Sequence, residues 1–154
     1  MAVGDVTFFH QFKVDLGNKI HDMDTDTWKV GLITSAVTPT GSDAGPHWGG
    51  TGTTNYATNQ VTPGGNYATG GPSLTSLAFF NSAGTISWTA GKISIASHAS
   101  NPTNARWAII YNSTDANKRA AAFVDLGSVR DLTQGLFELR FNAVDGTGTI
   151  GTLA

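Results

Sequence analysis

The chain has 154 residues, which is enough for one domain with a single core. Glycine occurs 19 times where about 11 are expected, and only 13% of residues are charged, so short strands and tight turns are favoured over long helices. The net charge of −2 argues against sequence-independent nucleic-acid binding, and the lack of cysteine excludes disulfides and cysteine-ligated zinc.

The first predicted element is a strand over residues 6–14 (VTFFHQFKV), where every second residue would lie on one face. Its N-terminal surroundings have neither a basic start nor a long apolar run, so we expect no signal peptide. No window approaches 18 apolar residues, so we also expect no transmembrane helix and no membrane partner.

An acidic run at residues 21–26 (HDMDTD) precedes a second predicted strand over residues 27–37. Alternate carboxylates beside a histidine could hold a hard cation. However, a calcium loop starting at Asp22 needs glycine and glutamate where this chain has Thr27 and Ile33. We therefore expect a solvated turn with aspartates capping backbone amides. In the strand, Gly31 indicates a bulge or a close backbone approach.

Residues 38–72, called the arm below, form a Gly-, Thr- and Asn-rich stretch that is unusually long for a loop. Aromatic residues punctuate it, and the sequence Asn-Tyr-Ala-Thr occurs at residues 55–58 and again at 66–69. We expect an extended arm that orders on a neighbouring subunit, the alternative being a loop folded over its own domain. The predicted partner-binding residues are His47, Trp48, Asn55, Tyr56, Asn66 and Tyr67.

Further strands are predicted at residues 73–80, 85–90, 92–97, 136–141 and 149–153, with a hairpin turn at Asp145-Gly146. The strongest pattern is the hairpin at residues 105–127, where NSTDAN joins two apolar strands. Trp107, Ile109 and Tyr111 share one face of it, and the opposite face is apolar too, so both faces should be covered. We expect a single all-β domain over residues 1–154, an antiparallel β-sandwich or a jelly-roll-like barrel.

Catalytic patterns are not found in the sequence. It has no Gly-x-Ser-x-Gly elbow, no Walker lysine and no cysteine nucleophile, and its four histidines are scattered. We therefore expect no enzyme, no catalytic or metal-binding residues and no cofactor. Exposed loop aromatics would suit stacking on sugars or anchoring in a partner's pocket.

Four segments, in this order, resemble small virion structural proteins of tailed bacteriophages. They are residues 26–30 (DTWKV), Tyr67 within PGGNYATGG, residues 105–111 (ARWAIIY) and residues 123–127 (FVDLG). The resemblance runs over most of the chain, and the order of the motifs carries it, because each motif alone is only a strand or turn pattern. Trp107 departs from it, since tyrosine is commoner there.

The resemblance implies a capsid decoration, or cement, protein with no catalytic residues. Such a protein is made in the host bacterial cytoplasm, sits on the capsid surface of the virion, and bridges subunits of the major capsid protein. We expect self-association as a trimer, with a dimer as the alternative, and no nucleic-acid partner. The competing hypothesis is a phage tail or host-recognition module that binds surface glycan through Trp48, Tyr56 and Tyr67.

Overall fold

The computed structural model describes residues 4–141 and 147–153. Most of its regular structure is extended, which confirms the predicted all-β class, although the described strands close no barrel. In chain order the elements are β1 (Val6–Phe8), α1 (His10–Gly17), β2 (Trp28–Ile33), β3 (Pro46–His47), β4 (Thr54–Asn55), a 3₁₀ helix (Tyr56–Asn59), β5 (Ala78–Ser82), β6 (Thr85–Gly91), β7 (Ile93–Ile95), β8 (Ala105–Asn112), β9 (Ala120–Arg130), β10 (Phe137–Leu139) and β11 (Thr147–Leu153). The turn predicted at Asp145-Gly146 lies outside the described residues.

The central sheet has the strand order β1-β9-β8-β2 and is antiparallel throughout. Its two longest strands, β8 and β9, form the hairpin that the alternating apolar pattern predicted. The register places Ala108 opposite Val124 and Ile109 opposite Phe123. Small alanines at the start of β9 keep the hairpin thin, so other segments can pack closely on both of its sides.

Both faces of the central sheet are buried within the chain, as the apolar hairpin required. One face contributes alternate residues of β2, β8 and β9 to a large cluster that includes Trp28, Val30, Leu32, Ala108, Ile110 and Trp88. The other contributes Ile33, Trp107, Ile109, Tyr111 and Phe123 to a smaller cluster. The smaller cluster is completed by Phe9 and by residues of the arm. This chain therefore covers its own hairpin.

The remaining strands form smaller sheets. An antiparallel sheet has the order β11-β6-β5, β10 pairs with β7, and the short strands β3 and β4 are parallel. Strands β5 and β6 are joined by a two-residue turn in which Ala83 and Gly84 both have positive φ, 50° and 86°. Two positive φ values define the type I′ turn that suits the twist of a hairpin.

The strand predicted over residues 6–14 is wrong beyond Phe8, because residues 10–17 form α1. Phe8 and Phe12 are four residues apart, and their rings stack with centroids at 5.3 Å. In a strand His10 and Val14 would share the buried face with Phe12, yet both are exposed. The helical spacing was present in the sequence beside the alternating one. No helix among the described residues is long and apolar enough to cross a bilayer.

The arm lies against its own sheet and closes the outer edge of β2. The Val30 amide donates to the Pro72 carbonyl at 2.9 Å, and the Val61 amide donates to the Leu32 carbonyl at 3.1 Å. The alternative left open by the sequence, a loop folded over its own domain, is the arrangement in this structure. It is favoured because β2 would otherwise present unpaired backbone groups.

Candidate functional site

Trp48 is the arm residue that packs most closely on the central sheet. Its ring is 4% exposed and stacks on Tyr111 with centroids at 5.1 Å and planes 8° apart. The ring lies directly over Gly31, where a Cβ atom would come within 2.2 Å of Trp48 Cη2. The close backbone approach predicted at Gly31 is therefore confirmed, and the expectation that Trp48 is exposed is wrong.

The two arm tyrosines are buried on opposite sides of the central sheet. Tyr56 belongs to the smaller cluster, and its hydroxyl donates to the Asp43 carboxylate. Tyr67 belongs to the larger cluster, and its hydroxyl accepts from the Leu32 amide at 2.8 Å. Burial raises the pKa of both phenols, and the Asp43 carboxylate raises that of Tyr56 further. The expectation that these rings are exposed is likewise wrong.

Of the other three predicted binding residues, His47 and Asn55 hold the arm's own backbone, and Asn66 ties the arm to the segment after β7. His47 is buried, and its Nδ1 donates to the Gly45 carbonyl at 3.0 Å. Asn55 Oδ1 accepts from the amides of Gly49 and Ala57 at 2.9 and 3.1 Å. Asn66 is exposed, and its Nδ2 donates to the Ala96 carbonyl at 3.1 Å.

These contacts explain the repeated Asn-Tyr-Ala-Thr motif of the arm. In the first copy Asn55 accepts from a nearby amide, in the second Asn66 is bound to the distant residues Ala96 and Asn101, and in both the following tyrosine enters a core cluster. In this conformation the rings of Trp48, Tyr56 and Tyr67 are not free to stack on a sugar or to enter a partner's pocket.

Sequence reasoning missed a buried polar network beneath α1. Asn112, fully buried, donates from Nδ2 to His21 Nδ1 at 3.0 Å and also to the Asp26 carboxylate. Its Oδ1 accepts from the amides of Thr114 and Asp115 at 2.9 and 3.1 Å. The network thus ties the acidic run to the β8–β9 turn. Asn112 and His21 are 91 positions apart, so no local sequence signal could have joined them.

Asp15 of α1 completes this network on the other side of the His21 ring. His21 Nε2 and Asp15 Oδ2 are 3.9 Å apart, and the Nε of Arg119 is 3.8 Å from the same carboxylate oxygen. Burial lowers the pKa of His21 below its ordinary value, although the carboxylates of Asp15, Asp115 and Asp26 act in the opposite direction. A neutral ring is therefore the form this site favours.

The acidic run forms the predicted capping turn. Asp22 Oδ1 accepts from the amides of Asp24 and Thr25 at 3.0 and 3.2 Å, and Asp26 Oδ2 accepts from the Asp22 amide at 2.9 Å. The Thr25 side chain and the amides of Asp24 and Thr25, which bond to the Asp22 carboxylate, lower its pKa. Within residues 4–141 and 147–153, no group of three or more histidine, aspartate or glutamate side chains is placed to hold a metal ion.

A cleft of about 810 Å³ lies between α1, the acidic turn and the β5–β6 hairpin and is here called the helix–hairpin cleft. Its apolar walls come from Leu16, Ile20, Met23, Phe79 and Ile86. Exposed residues of both signs of charge also line it, namely Lys13, Lys19, Asp22 and Asp24. Ile86 is 37% exposed there, an unusual exposure for a residue on the inner face of a sheet.

The helix–hairpin cleft and the polar network adjoin, because His21 and Asp26 contribute to both. The network fixes the acidic turn that forms one wall of the cleft, while the other wall is the β5–β6 hairpin. Apolar walls together with exposed charges suit the contact of another protein chain. The chain matches no protein-family model, no curated protein and no solved structure.

Proposed function

We propose that this protein is a bacteriophage capsid decoration protein that binds the outer surface of the head shell and stabilises the shell by bridging major capsid subunits. The sequence resemblance motivates the proposal, and its motifs fall on one framework. DTWKV leads into and begins β2, ARWAIIY is most of β8, and FVDLG lies within β9. Tyr67 is not part of a described strand, but its hydroxyl accepts a hydrogen bond from the Leu32 amide of β2. The segments that carry the resemblance therefore lie mainly in the central sheet.

The observation that carries the proposal is the helix–hairpin cleft. Apolar side chains such as Ile86 and Phe79 lie at its wall, and the lining also includes lysines and aspartates. A segment of a capsid subunit could bury its apolar side chains there and pair its charges with those of the lining. Many such contacts, repeated over a symmetric shell, strengthen one another through effective concentration.

The proposal includes a finer description of the fold, in which the central sheet and the β11-β6-β5 sheet are the two layers of a β-sandwich. Trp28 of β2 and Trp88 of β6 support it, because their rings meet edge to face with centroids at 4.8 Å. Both rings belong to the larger cluster, which would then be the core between the layers.

The competing glycan-binding hypothesis requires exposed aromatic rings at Trp48, Tyr56 and Tyr67, and these rings are buried. Its three aromatic rings are each less than 5% exposed. A sugar-binding platform needs at least one ring face open to solvent, so the structure offers no support for this use of the arm.

Binding to empty, expanded head shells of the phage that encodes this chain tests the proposal. We expect saturation at a fixed ratio of copies per capsid subunit and a higher disassembly temperature of the shell. Ile86→Glu places a charge in the apolar wall of the cleft and should weaken binding at least tenfold.

The matched control is Val129→Glu, because Val129 is 52% exposed and does not line the helix–hairpin cleft. It should bind as the unchanged protein does. Failure of the unchanged protein to bind the shell would contradict the decoration function. Equal binding by both variants would contradict the assignment of the cleft as the docking site.

A further inference from the structure

We infer that β5 is a self-association edge, at which two copies of this chain pair their β5 strands antiparallel about a two-fold axis. The inference rests on the edge strand itself and does not depend on the proposed capsid function. It joins two β11-β6-β5 sheets into one continuous six-stranded sheet. The partner is therefore a second copy of this chain.

Strand β5 is an edge of its sheet, and no described strand pairs with its outer side. The arm closes β2, and β1 and β11 face each other across a cleft of about 630 Å³. In β10, Glu138 forms ion pairs with Lys92 and Arg140, and charge of this kind discourages strand pairing. Strand β5 reads AFFNS, without charge or proline, and its only described strand partner is β6.

The side chains of β5 point to two different environments. Phe79 is paired with Trp88 and packs against the larger cluster, so its face is the inner one. Phe80 is on the opposite face, where it is 46% exposed. Ala78, two positions before it, shares that outer face and is also exposed. Pairing with a second strand would bury this exposed aromatic ring if an apolar side chain of the second copy came to lie opposite it.

The backbone of β5 fixes the register of self-pairing. In a hairpin closed by a two-residue turn, the flanking residues Ser82 and Thr85 exchange hydrogen bonds. The amides of Ser82, Phe80 and Ala78 therefore face β6, and those of Phe79 and Asn81 face outward. If Phe79 pairs with Asn81 of the second copy, the outward-facing backbone N–H and C=O groups of both residues form hydrogen bonds. The two-fold axis repeats the same pair on its other side.

This register also overlaps all five residues of the strand, with Phe80 opposite Phe80 of the second copy. That central pair is not hydrogen-bonded, so its side chains come closest, with Cβ atoms about 4.5–5.5 Å apart. Two phenylalanine rings can then pack across the axis, and no like charges oppose each other. Because the contact is isologous, it closes at two copies and does not propagate into a fibre.

Sedimentation velocity across a range of protein concentrations tests the association, with charge substitutions at the axis as the decisive variants. Phe80→Lys and Phe80→Glu each place like charges opposite each other and should each weaken dimer formation at least tenfold. An equimolar mixture of the two should recover the dimer, because lysine then faces glutamate. This recovery would not follow if the substitutions merely damaged the fold.

The register is tested by crosslinking, since the chain contains no cysteine. Phe80→Cys should form a disulfide-linked dimer under mild oxidation. Ala78→Cys, on the same face, should not, because two copies of residue 78 would be four positions apart along the strand, about 13 Å. A monomer at all concentrations, a trimer unaffected by Phe80→Lys, or equal crosslinking of both cysteine variants would overturn the inference.

Discussion

Gly31→Ala tests whether the arm is bound to its own sheet in solution, because Gly31 lies directly beneath Trp48. The added Cβ would lie 2.2–2.5 Å from three atoms of the Trp48 six-membered ring, whereas ordinary contacts begin at 3.4 Å. To restore an ordinary contact, the ring would have to move by more than 1 Å, since the shortest distance must rise from 2.2 to 3.4 Å. Stacking on Tyr111 opposes that movement.

Overpacking of this kind costs about 1–3 kcal/mol of the free energy of unfolding. For a chain of this length the loss corresponds to a fall in Tm of about 2–12 °C. The φ of Gly31 is not in the left-handed region, so alanine causes no backbone strain of its own. Without the clash, the same substitution should stabilise the protein by about 0.4–1 kcal/mol through the unfolded state.

Trp48→Phe supplies the second half of a double-mutant cycle, because phenylalanine lacks the ring atoms that the new Cβ would meet. In that background Gly31→Ala should be neutral or stabilising by up to about 1 kcal/mol, giving a coupling energy of about 1–4 kcal/mol. Urea denaturation of the four proteins measures it, with Gly17→Ala as the control, since no atom lies within 4 Å of its added Cβ. Additive effects, within about 0.5 kcal/mol, would refute the packing of Trp48 on Gly31.

Three further predictions concern the polar network and the hairpin turn. Burial depresses the pKa of His21, so the unfolded chain binds the extra proton, and stability should fall as pH decreases from 7 to 5. In His21→Phe the slope of the unfolding free energy against pH should shrink, by at most about 1.4 kcal/mol per pH unit. In the control His10→Gln, which changes an exposed histidine, the slope should persist. Equal slopes for the two variants in urea titrations would count against the burial of His21. Asn112→Ala should cost about 2–4 kcal/mol in the same assay, because buried partners lose their hydrogen bonds. A loss below about 0.5 kcal/mol, the scale of a surface substitution, would contradict the network. Ala83→Asn should raise stability by about 1 kcal/mol, since asparagine tolerates the positive φ at that turn position; a decrease in Tm would argue against a type I′ turn.

The central hairpin could be predicted because its apolar residues alternate without interruption and a run of turn-forming residues separates its strands. The same reasoning failed at α1, where Phe8 and Phe12 fit both an alternating and a helical spacing. Only the tertiary structure decides between them, because it stacks Phe12 on Phe8 and leaves Val14 in solvent. The short helix was therefore not distinguishable by periodicity alone.

The aromatic residues of the arm could be recognised from the sequence, but their burial could not. Composition marked residues 38–72 as polar and glycine-rich, which is typical of an exposed segment. The burial depends on fitted pairs of distant residues, such as Trp48 above Gly31 and Tyr67 beside Leu32. The same holds for Asn112 and His21, whose contact joins parts of the chain that no local pattern relates.

The arm along β2 also makes the strand a two-sided reporter of native-state hydrogen exchange. Three alternate amides donate to the arm. The Val30 amide donates to the Pro72 carbonyl, the Leu32 amide to the Tyr67 hydroxyl, and the Thr34 amide, just after β2, to the Asn59 carbonyl. The intervening amides face β8 in the sheet ladder. Detachment of the arm alone would expose only the first set to deuterium, whereas separation of β2 from β8 would expose the second. One six-residue strand thus resolves two opening reactions with separate free energies.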